Sequence, residues 1–372
     1  MSDRTKFPLR IVGALAGVLL LLAAPLSLES FWLQTGLFAM AAVIGAVGLT
    51  LLVGVTGQLS LGHAFFVAVG AYGYAFLAGS SDGDVVGVGL PPAVATVGAV
   101  VLAGVAGALF SPIAGRLRGI YLGLASLGLV FAGQHILQNA TAVTGGFNGR
   151  DAAPFRLFDF SFTATDPELI IFNVPYGALE RLWYLGLLLV AVAVWYARNL
   201  LRGRPGRALV GVRDSEAAAA VMGVNVRRYK AAAFTVSSAY AGLAGVLLAL
   251  AFGRIVPESF GFLLSVDLLA MIIIGGLGSI GGAAAGAVFV IALPLVLNHY
   301  SDALPFLAQP GEAGIGAAEA ARLLYGAAIL AVLLYLPGGL AQLTHRISAK
   351  ESRHEQTTAG NGDSTSPHVD RV

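Results

Sequence analysis

Residues 56–79 read "TGQLSLGHAFFVAVGAYGYAFLAG", an apolar run that begins with polar side chains. Gln58, Ser60 and His63 stand among five glycines in this segment. Apolar runs of about 18 or more residues can cross a bilayer as helices, and the chain contains many such runs. They are continuous rather than alternating, which favours helices over the strands of a membrane barrel. The segment therefore predicts a membrane helix that starts at a polar, glycine-rich break.

The composition excludes a soluble globular protein. Hydrophobic residues make up 57% of the 372 residues and charged residues only 11%, whereas soluble proteins carry about 25% charged residues. The chain has no cysteine, so neither disulfides nor thiolate metal sites are available. Its net charge of +2 is too small to indicate nucleic acid as a partner.

The hydrophobic pattern predicts an all-α polytopic membrane protein with about ten transmembrane helices. They are expected near residues 11–28, 32–55, 60–79, 91–110, 120–139, 182–200, 231–252, 263–277, 282–298 and 321–337. With the N-terminus inside, 17 of the 22 Lys and Arg residues fall on the cytoplasmic side, as the positive-inside rule requires. Both termini are then predicted to be cytoplasmic, and the first segment to be a retained helix rather than a cleaved signal peptide.

The predicted helices belong to one membrane domain, residues 1–345. Its two notable connections are an external loop, residues 140–181, and a cytoplasmic loop, residues 198–230, which carries eight of the basic residues. Residues 346–372 are polar and lack apolar periodicity, so we expect a disordered cytoplasmic tail.

Motifs for ATP binding or catalysis are missing from the sequence. The stretch "GLGSIG", residues 276–281, matches G-x-G-x-x-G, but it links two membrane helices instead of following a strand. The chain contains no G-x-x-x-x-G-K-[ST], and its histidines and acids form no metal-ligand cluster in sequence. We therefore expect no bound cofactor, and a membrane-embedded enzyme is a disfavoured alternative.

Glycine is abundant, with 49 residues that are often spaced four apart. Gly13 with Gly17 and Gly282 with Gly286 are examples. Because small residues let helix backbones approach closely in lipid, most of these glycines are expected to pack the bundle.

Two glycine-dense junctions interrupt the apolar pattern, at residues 57–63 and 275–282. Transporters use broken helices to line a substrate path, whereas the simpler interpretation is a tight turn at the surface. The neutral polar groups of Gln58, Ser60 and His63 favour path-lining for the first junction. For the second junction the two interpretations remain equal.

Asp267 is the acid that lies well within a predicted hydrophobic segment. An aspartate at a helix centre costs about 2.5–3.5 kcal/mol on insertion scales. We therefore expect Asp267 to face the wet interior of the bundle along the translocation path. The alternative is that it is hydrated near the outer interface.

The cytoplasmic loop contains a short predicted helix in "RDSEAAAAVMG", residues 213–223. Asp214 or Ser215 can cap it, Glu216 in the first turn suits the helix dipole, and the alanines favour helix. Gly223 is expected to end it. We expect a short helix outside the bilayer to be held in a partner's groove, and the alternative is a loop that rests on lipid headgroups.

Several segments together resemble a known family. "TGQLSLGHAFFVAVGAY", "RGIYLGLASLGL", "TGGFNG" and "PESFGFLLSVDLLAMIIIGGLGSIGG" resemble the LivH/LivM family of branched-chain amino acid ABC transporter permeases. The resemblance runs from about residue 35 to 340, and "RGIYLGLASLGL" is more similar to LivM. Glu216, Ala217, Ala218 and Gly223 resemble the ATPase-coupling loop of ABC importer permeases, although the usual spacing to the glycine is one residue shorter.

The resemblance implies a permease subunit of an ABC importer in a prokaryotic plasma (inner) membrane, moving branched-chain amino acids inward. It implies four further components: a second, LivH-like permease, two cytoplasmic ATPases that bind the ATP, and an external solute-binding protein. Urea and short-chain amide permeases are similar at these motifs, so such a substrate is an alternative. An ion-coupled secondary transporter is a further alternative, which would need more intramembrane charge.

The family role also gives expectations for the two loops. Glu216 is expected to orient the coupling helix and to pair with a basic group on the ATPase. Gly223 would end the helix so that Arg227, Arg228 and Lys230 return to the membrane surface. The external loop, residues 140–181, mixes aromatic and arginine side chains as interfaces do, so we expect it either to contact the binding protein or to form a self-packed lid. These side chains are Phe147, Phe155, Phe158, Phe160, Arg150 and Arg156.

Overall fold

The computed structural model describes most of the chain. The described residues are 16–81, 85–117, 119–157, 160–162, 169–171, 174–300, 316–335 and 339. The predicted tail, residues 346–372, and the start of the first predicted segment lie outside them.

The described chain is mainly α-helical, and a helix lies in each of the ten predicted hydrophobic segments. These helices are α1 Ala16–Ser27, α2 Ser30–Leu49, α3 His63–Ala78, α4 Pro92–Arg116, α5 Ile120–Asn139, α7 Ala178–Arg202, α10 Val226–Phe252, α11 Phe262–Gly275, α12 Ile280–His299 and α13 Ala317–Tyr335. Shorter helices lie in the connections: α6 Thr141–Thr144, α8 Arg204–Asp214 and α9 Glu216–Val221.

Six of the described helices are long and apolar enough to cross a membrane: α2 with its continuation to Val55, α4, α5, α7, α10 and α12. The apolar helices α3 and α11 are shorter, with 16 and 14 residues. At about 1.5 Å per residue they extend roughly 24 and 21 Å, less than the bilayer core of about 30 Å. The polytopic all-α fold is confirmed, while ten crossings and cytoplasmic termini stay predictions.

Helix α10 lies at the centre of the bundle, where it packs against α2, α3 and α4. A second group, α11 and α12, packs on α2, and α7 lies against α2 from another side. The central helices approach closely because they are glycine-rich. A Cβ atom added to Gly70 of α3 would lie only 2.1 Å from the carbonyl oxygen of Gly242 in α10.

The prediction that spaced glycines pack the bundle is confirmed for Gly282 and Gly286. A Cβ atom on Gly286 would lie 2.0 Å from the carbonyl oxygen of Met271, and one on Gly275 equally close to that of Gly282. Of the other pair, Gly13 lies outside the described residues, and the Cβ position of Gly17 meets nothing within 4 Å in the described chain. Helix α1 therefore does not use this glycine for internal packing.

Short antiparallel strand pairs lie in the described part of the external loop and beside it. They are β1 Arg150–Asp151 with β6 Arg254–Ile255, β2 Arg156–Leu157 with β3 Phe160–Ser161, and β4 Leu169–Ile171 with β5 Val174–Tyr176. The first pair connects this loop to the chain that directly follows α10. Part of the external loop is thereby fixed against the bundle.

Candidate functional site

The predicted break after the second helix is present. Helix α2 continues as a π-helix, Thr50–Val55, and α3 begins at His63. Between them Gly57 has φ 71°, in the left-handed region that favours glycine. Single π-helical turns often occur at functional sites, and this one directly precedes the polar residues.

The polar side chains of the break are deeply buried. Gln58, Ser60 and His63 are 3%, 0% and 1% exposed. A turn at the membrane surface would leave such groups hydrated. These three side chains are therefore packed within the described chain, and their role as path-lining groups stays a prediction.

Serines from two neighbouring helices satisfy the backbone donors of the break. The Leu61 N–H donates to Ser126 Oγ of α5 at 2.8 Å, and the Ala64 N–H donates to Ser265 Oγ of α11 at 3.0 Å. Buried backbone groups outside regular structure need such partners. The chain can thus be non-helical here without leaving these amides unpaired.

Some hydrogen-bonding capacity at the break stays unused within the described chain. Gln58 Nε2 donates to Thr56 Oγ1 at 3.1 Å and to the Lys230 carbonyl at 3.3 Å. Gln58 Oε1 and His63 Nε2, both buried, have no partner among the described residues. A buried polar atom without a partner costs about 1–3 kcal/mol, so these atoms favour contact with a polar molecule.

A cavity of about 400 Å³ lies between the break and the predicted coupling segment. The break contributes Thr56, Gly57 and Gln58 to its wall. The other side is formed by residues 212–217 and Lys230. Gln58 is thus brought next to the coupling segment, whereas Ser60 and His63 do not line this cavity.

Asp267, the predicted path residue in α11, does not lie on the face of its helix that supports the break. It is half-buried in α11 and does not line the 400 Å³ cavity. Ser265, which contacts the start of α3, lies two residues earlier. Since successive residues of a helix are about 100° apart, the two side chains lie on nearly opposite faces of α11.

The short helix predicted in the cytoplasmic loop is present as α9. Of the two predicted capping residues, Ser215 fills the role, because its side chain accepts from the Ala218 N–H at 3.2 Å. Gly223 follows the helix with φ 83°. The local prediction of cap, alanine run and terminating glycine is confirmed.

Lys230 departs from expectation. It was predicted to return to the membrane surface with Arg227 and Arg228, but it is buried and forms an ion pair with Glu216. The carboxylate compensates the desolvation of the ammonium group. Glu216 therefore pairs within this chain, and its first-turn charge holds α9 against α10.

The outward face of α9 is small and apolar. Ala217 and Ala218 are exposed, while Ala219 is buried against the protein. Val221 and Met222, at the end of the helix, are 89% and 72% exposed. These two apolar side chains are adjacent and lie outside the long apolar helices, and exposed apolar surface of this kind marks interaction sites.

The external loop divides into a packed part and an exposed part. Phe155 is 7% exposed and Phe147 is 68% exposed, and Phe158 lies outside the described residues. Arg150 is buried and donates through Nη1 to the carbonyls of Val86 and Val143. Burial lowers the pKa of its guanidinium, which Tyr72 partly offsets.

A cavity of about 740 Å³ lies beside this loop. Arg150, Arg156, Arg254 and Asp151 are among the residues that line it. Its charged groups are therefore mostly basic.

Sequence reasoning missed four residues that form the site. Ser126 and Ser265 support the break, Thr56 bonds to Gln58, and Arg213 donates from Nη1 to the Gly54 carbonyl at 2.9 Å. The only sequence signal for the serines was a lone hydroxyl within an apolar run. Arg213 is one of several arginines in residues 198–230, and no sequence feature distinguished it from the others.

A bundle of apolar helices with a polar break between two of them is an arrangement that transport permeases use. The model of the family "Branched-chain amino acid transport system / permease component" matches residues 31–333. The chain belongs to this family.

Curated relatives agree with the family. The "High-affinity branched-chain amino acid transport system permease protein LivM" of Escherichia coli is 30% identical over 337 residues, 88% of this chain and 74% of that protein. LivM of Salmonella typhimurium is 31% identical over 330 residues, 85% and 72% of the two chains. Escherichia coli LivH is 26% identical over 282 residues, 70% and 84% of the two chains. No solved structure matches.

The LivM-like resemblance is thereby confirmed, and the chain is a multi-pass membrane permease subunit of an ABC importer, not an enzyme. Relatives of both the LivM and the LivH kind match it, which indicates a pair of permeases.

Proposed function

We propose that this chain pairs with a LivH-like permease and moves branched-chain amino acids inward, driven by two separate cytoplasmic ATPases. An external solute-binding protein would deliver the substrate. The substrate class is supported by the family description and by the names of the LivM relatives. The chain itself carries no P-loop sequence, so ATP would be bound by the partner ATPases.

The observation that carries the coupling role is the exposed apolar end of α9. Val221 and Met222 project from a helix of six residues, too short to be stable alone in water. Ala217 and Ala218 leave the helix slim enough to enter a groove. Glu216, through Lys230, and Gly223 hold the helix in place, so these residues together form the proposed ATPase-coupling element.

The proposed translocation path passes the break at residues 57–63. Gln58, Ser60 and His63 offer neutral hydrogen-bonding groups, and weak neutral lining suits the passage of a solute that must also leave. Asp267 would face a separate wet region of the same path from α11. The cavity beside Gln58 would then be the inner end of this path.

The proposed topology has ten crossings with both termini in the cytoplasm. It places α9 and the charge-rich loop 198–230 inside and the strand-containing loop 140–181 outside. The positive-inside distribution of Lys and Arg supports this orientation. On the outside, the exposed Phe147 and the arginine-lined cavity would meet the binding protein.

Reconstituted transport tests the proposal. The chain, a LivH-like permease, the two ATPases and the binding protein are assembled in vesicles, and radiolabelled leucine uptake is measured with and without ATP. We expect ATP-dependent uptake that valine and isoleucine compete and urea does not. Competition by urea would indicate that the substrates are urea or short-chain amides. Uptake driven by an ion gradient without ATP would contradict the ABC mechanism.

A further inference from the structure

Arg213 joins the coupling segment to the end of the broken helix. Its Nη1 donates to the Gly54 carbonyl at 2.9 Å. Its Nε donates to Asp214 Oδ1 at 3.1 Å, and its Nη2 lies 3.1 Å from the same oxygen. Asp214 directly precedes Ser215, the residue that caps α9. One guanidinium thus spans from the start of the coupling helix to the π-helix.

The Gly54 carbonyl is available because a helix ends there. The last carbonyls of a helix have no partner in the next turn, and the π-helix ends at Val55. The carbonyls of Leu52 and Val53 accept from the amides of Gln58 and Gly57. Gly54 instead receives the arginine, whose positive charge also suits a helix C-terminus.

The arginine lies directly against the left-handed glycine of the break. A Cβ atom on Gly57 would be 3.1 Å from Arg213 Cγ. Both the stem and the head of this side chain therefore contact the segment that leads to Gln58. A movement of residue 213 toward the break would therefore press on residues 54–57.

A second connection runs in parallel through Lys230. Its ammonium group pairs with Glu216 in the first turn of α9, and its carbonyl accepts from Gln58 Nε2. The start of α9 is therefore attached to the break at two points. Arg213 is the shorter connection, because one side chain makes both contacts.

We propose that Arg213 is a positioning residue that transmits the displacement of α9 to the break, and so couples ATP hydrolysis to opening of the path beside Gln58. The inference rests on the proposed docking of the ATPases on α9. Arginine suits this role because its planar fork presents several donors in a fixed geometry. The lysine ammonium carries all its donors on one nitrogen, without this fixed fork, so it would reproduce the two contacts less well.

The test uses the complete reconstituted importer with Arg213→Met and Arg213→Lys. Arg207→Met is the matched control, because Arg207 lies on the same helix and donates to the carbonyl of Arg202 at the end of α7, away from the break. Three quantities are measured in each variant: co-purified ATPases, ATP hydrolysis, and leucine taken up per ATP hydrolysed.

We expect Arg213→Met to keep its ATPases and its hydrolysis while leucine per ATP falls about tenfold, within the usual range of coupling between sites. Arg213→Lys should recover part of the ratio, and Arg207→Met should match the wild type. A merely structural role for Arg213 would lower uptake and hydrolysis together and leave the ratio unchanged.

An unchanged ratio in Arg213→Met overturns the inference. If that variant does not accumulate, Asp214→Ala decides, since Asp214 is exposed and its loss removes the contact between the guanidinium and the start of α9 while the bond to the Gly54 carbonyl stays. A wild-type ratio of leucine to ATP in Asp214→Ala also overturns the inference. Ala217→Arg separates the two proposals. If it loses the ATPases while Arg213→Met stays coupled, docking on α9 stands and transmission by Arg213 fails. If it keeps them, the docking proposal itself fails.

Discussion

Gly54 and Gly278 lie backbone to backbone where the two glycine-rich junctions meet. A Cβ atom on Gly54 would be 2.3 Å from the Gly278 amide nitrogen, closer than real Cβ contacts. Gly54→Ala should therefore force the junctions apart and destabilise the bundle by about 1–3 kcal/mol, the usual cost of overpacking. Thermal unfolding of the purified protein measures this. Gly281→Ala is the control, because its Cβ position meets nothing within 4 Å, and equal stability of both variants would contradict the contact.

Gln58→Leu should reduce uptake several-fold while the complex still assembles. The change removes the side-chain bonds to Thr56 and to the Lys230 carbonyl, together with the unused Oε1 acceptor. Gln34→Leu makes the same chemical change at an exposed position of α2 and should have little effect. Uptake and complex yield are measured for both. Normal uptake in the Gln58 variant would reduce the break to a structural role.

Ala217→Arg should abolish uptake by preventing ATPase association. Arginine is a good helix former and Ala217 is exposed, so α9 itself should persist. A bulky charge on its slim face would clash with the groove. Ala217→Ser, which stays small, is the matched control and should retain the ATPases. Wild-type co-purification and uptake in the arginine variant would show that α9 is not the coupling element.

Asp267→Asn should retain more transport than Asp267→Leu. At a half-buried position in α11, asparagine keeps the hydrogen bonding and hydration that a wet interior requires, whereas leucine removes both. Uptake by the two variants at equal membrane levels makes the comparison. Full activity of the leucine variant would place Asp267 at a hydrated interface without a role in the path.

A photo-crosslinking side chain at position 147 should capture the solute-binding protein. Phe147 is exposed on the external loop, and Phe155 of the same loop is buried. The same crosslinker at position 155 should therefore give no product with the binding protein and serves as the control. If neither position 147 nor other exposed positions of the loop gave a crosslink to the binding protein, the result would favour a self-packed lid.

Sequence patterns were sufficient to predict where the helices of the fold lie. Each apolar run contains a helix, and the ends of α9 agree with its cap and its glycine, because these signals are local. The burial of Lys230 was not predictable in this way, since its partner Glu216 lies 14 residues away on another helix. Long-range pairing depends on packing that no local pattern records.

The candidate site was predicted only in part for the same reason. The polar break stood out because Gln58, Ser60 and His63 interrupt an apolar run. The two serines that support the break did not stand out in the sequence. Ser126 and Ser265 become its hydrogen-bond partners only after three separate helices meet. Residue type alone drew attention to Asp267, and the structure places it on nearly the opposite face of α11 from Ser265, which supports the break.

Helix α10 runs without interruption between the two loops. It begins after Asn225, pairs through Lys230 with the coupling helix, and ends at Phe252, about 40 Å away at 1.5 Å per residue. The next residue, Gly253, accepts a hydrogen bond from the Ala152 amide of the external loop. A shift of this rod along its axis would move both ends together. Suppose that docking of the solute-binding protein on the outside changes the affinity of the permease for its ATPase by some factor. Binding of the ATPase must then change the affinity of the permease for the solute-binding protein by the same factor.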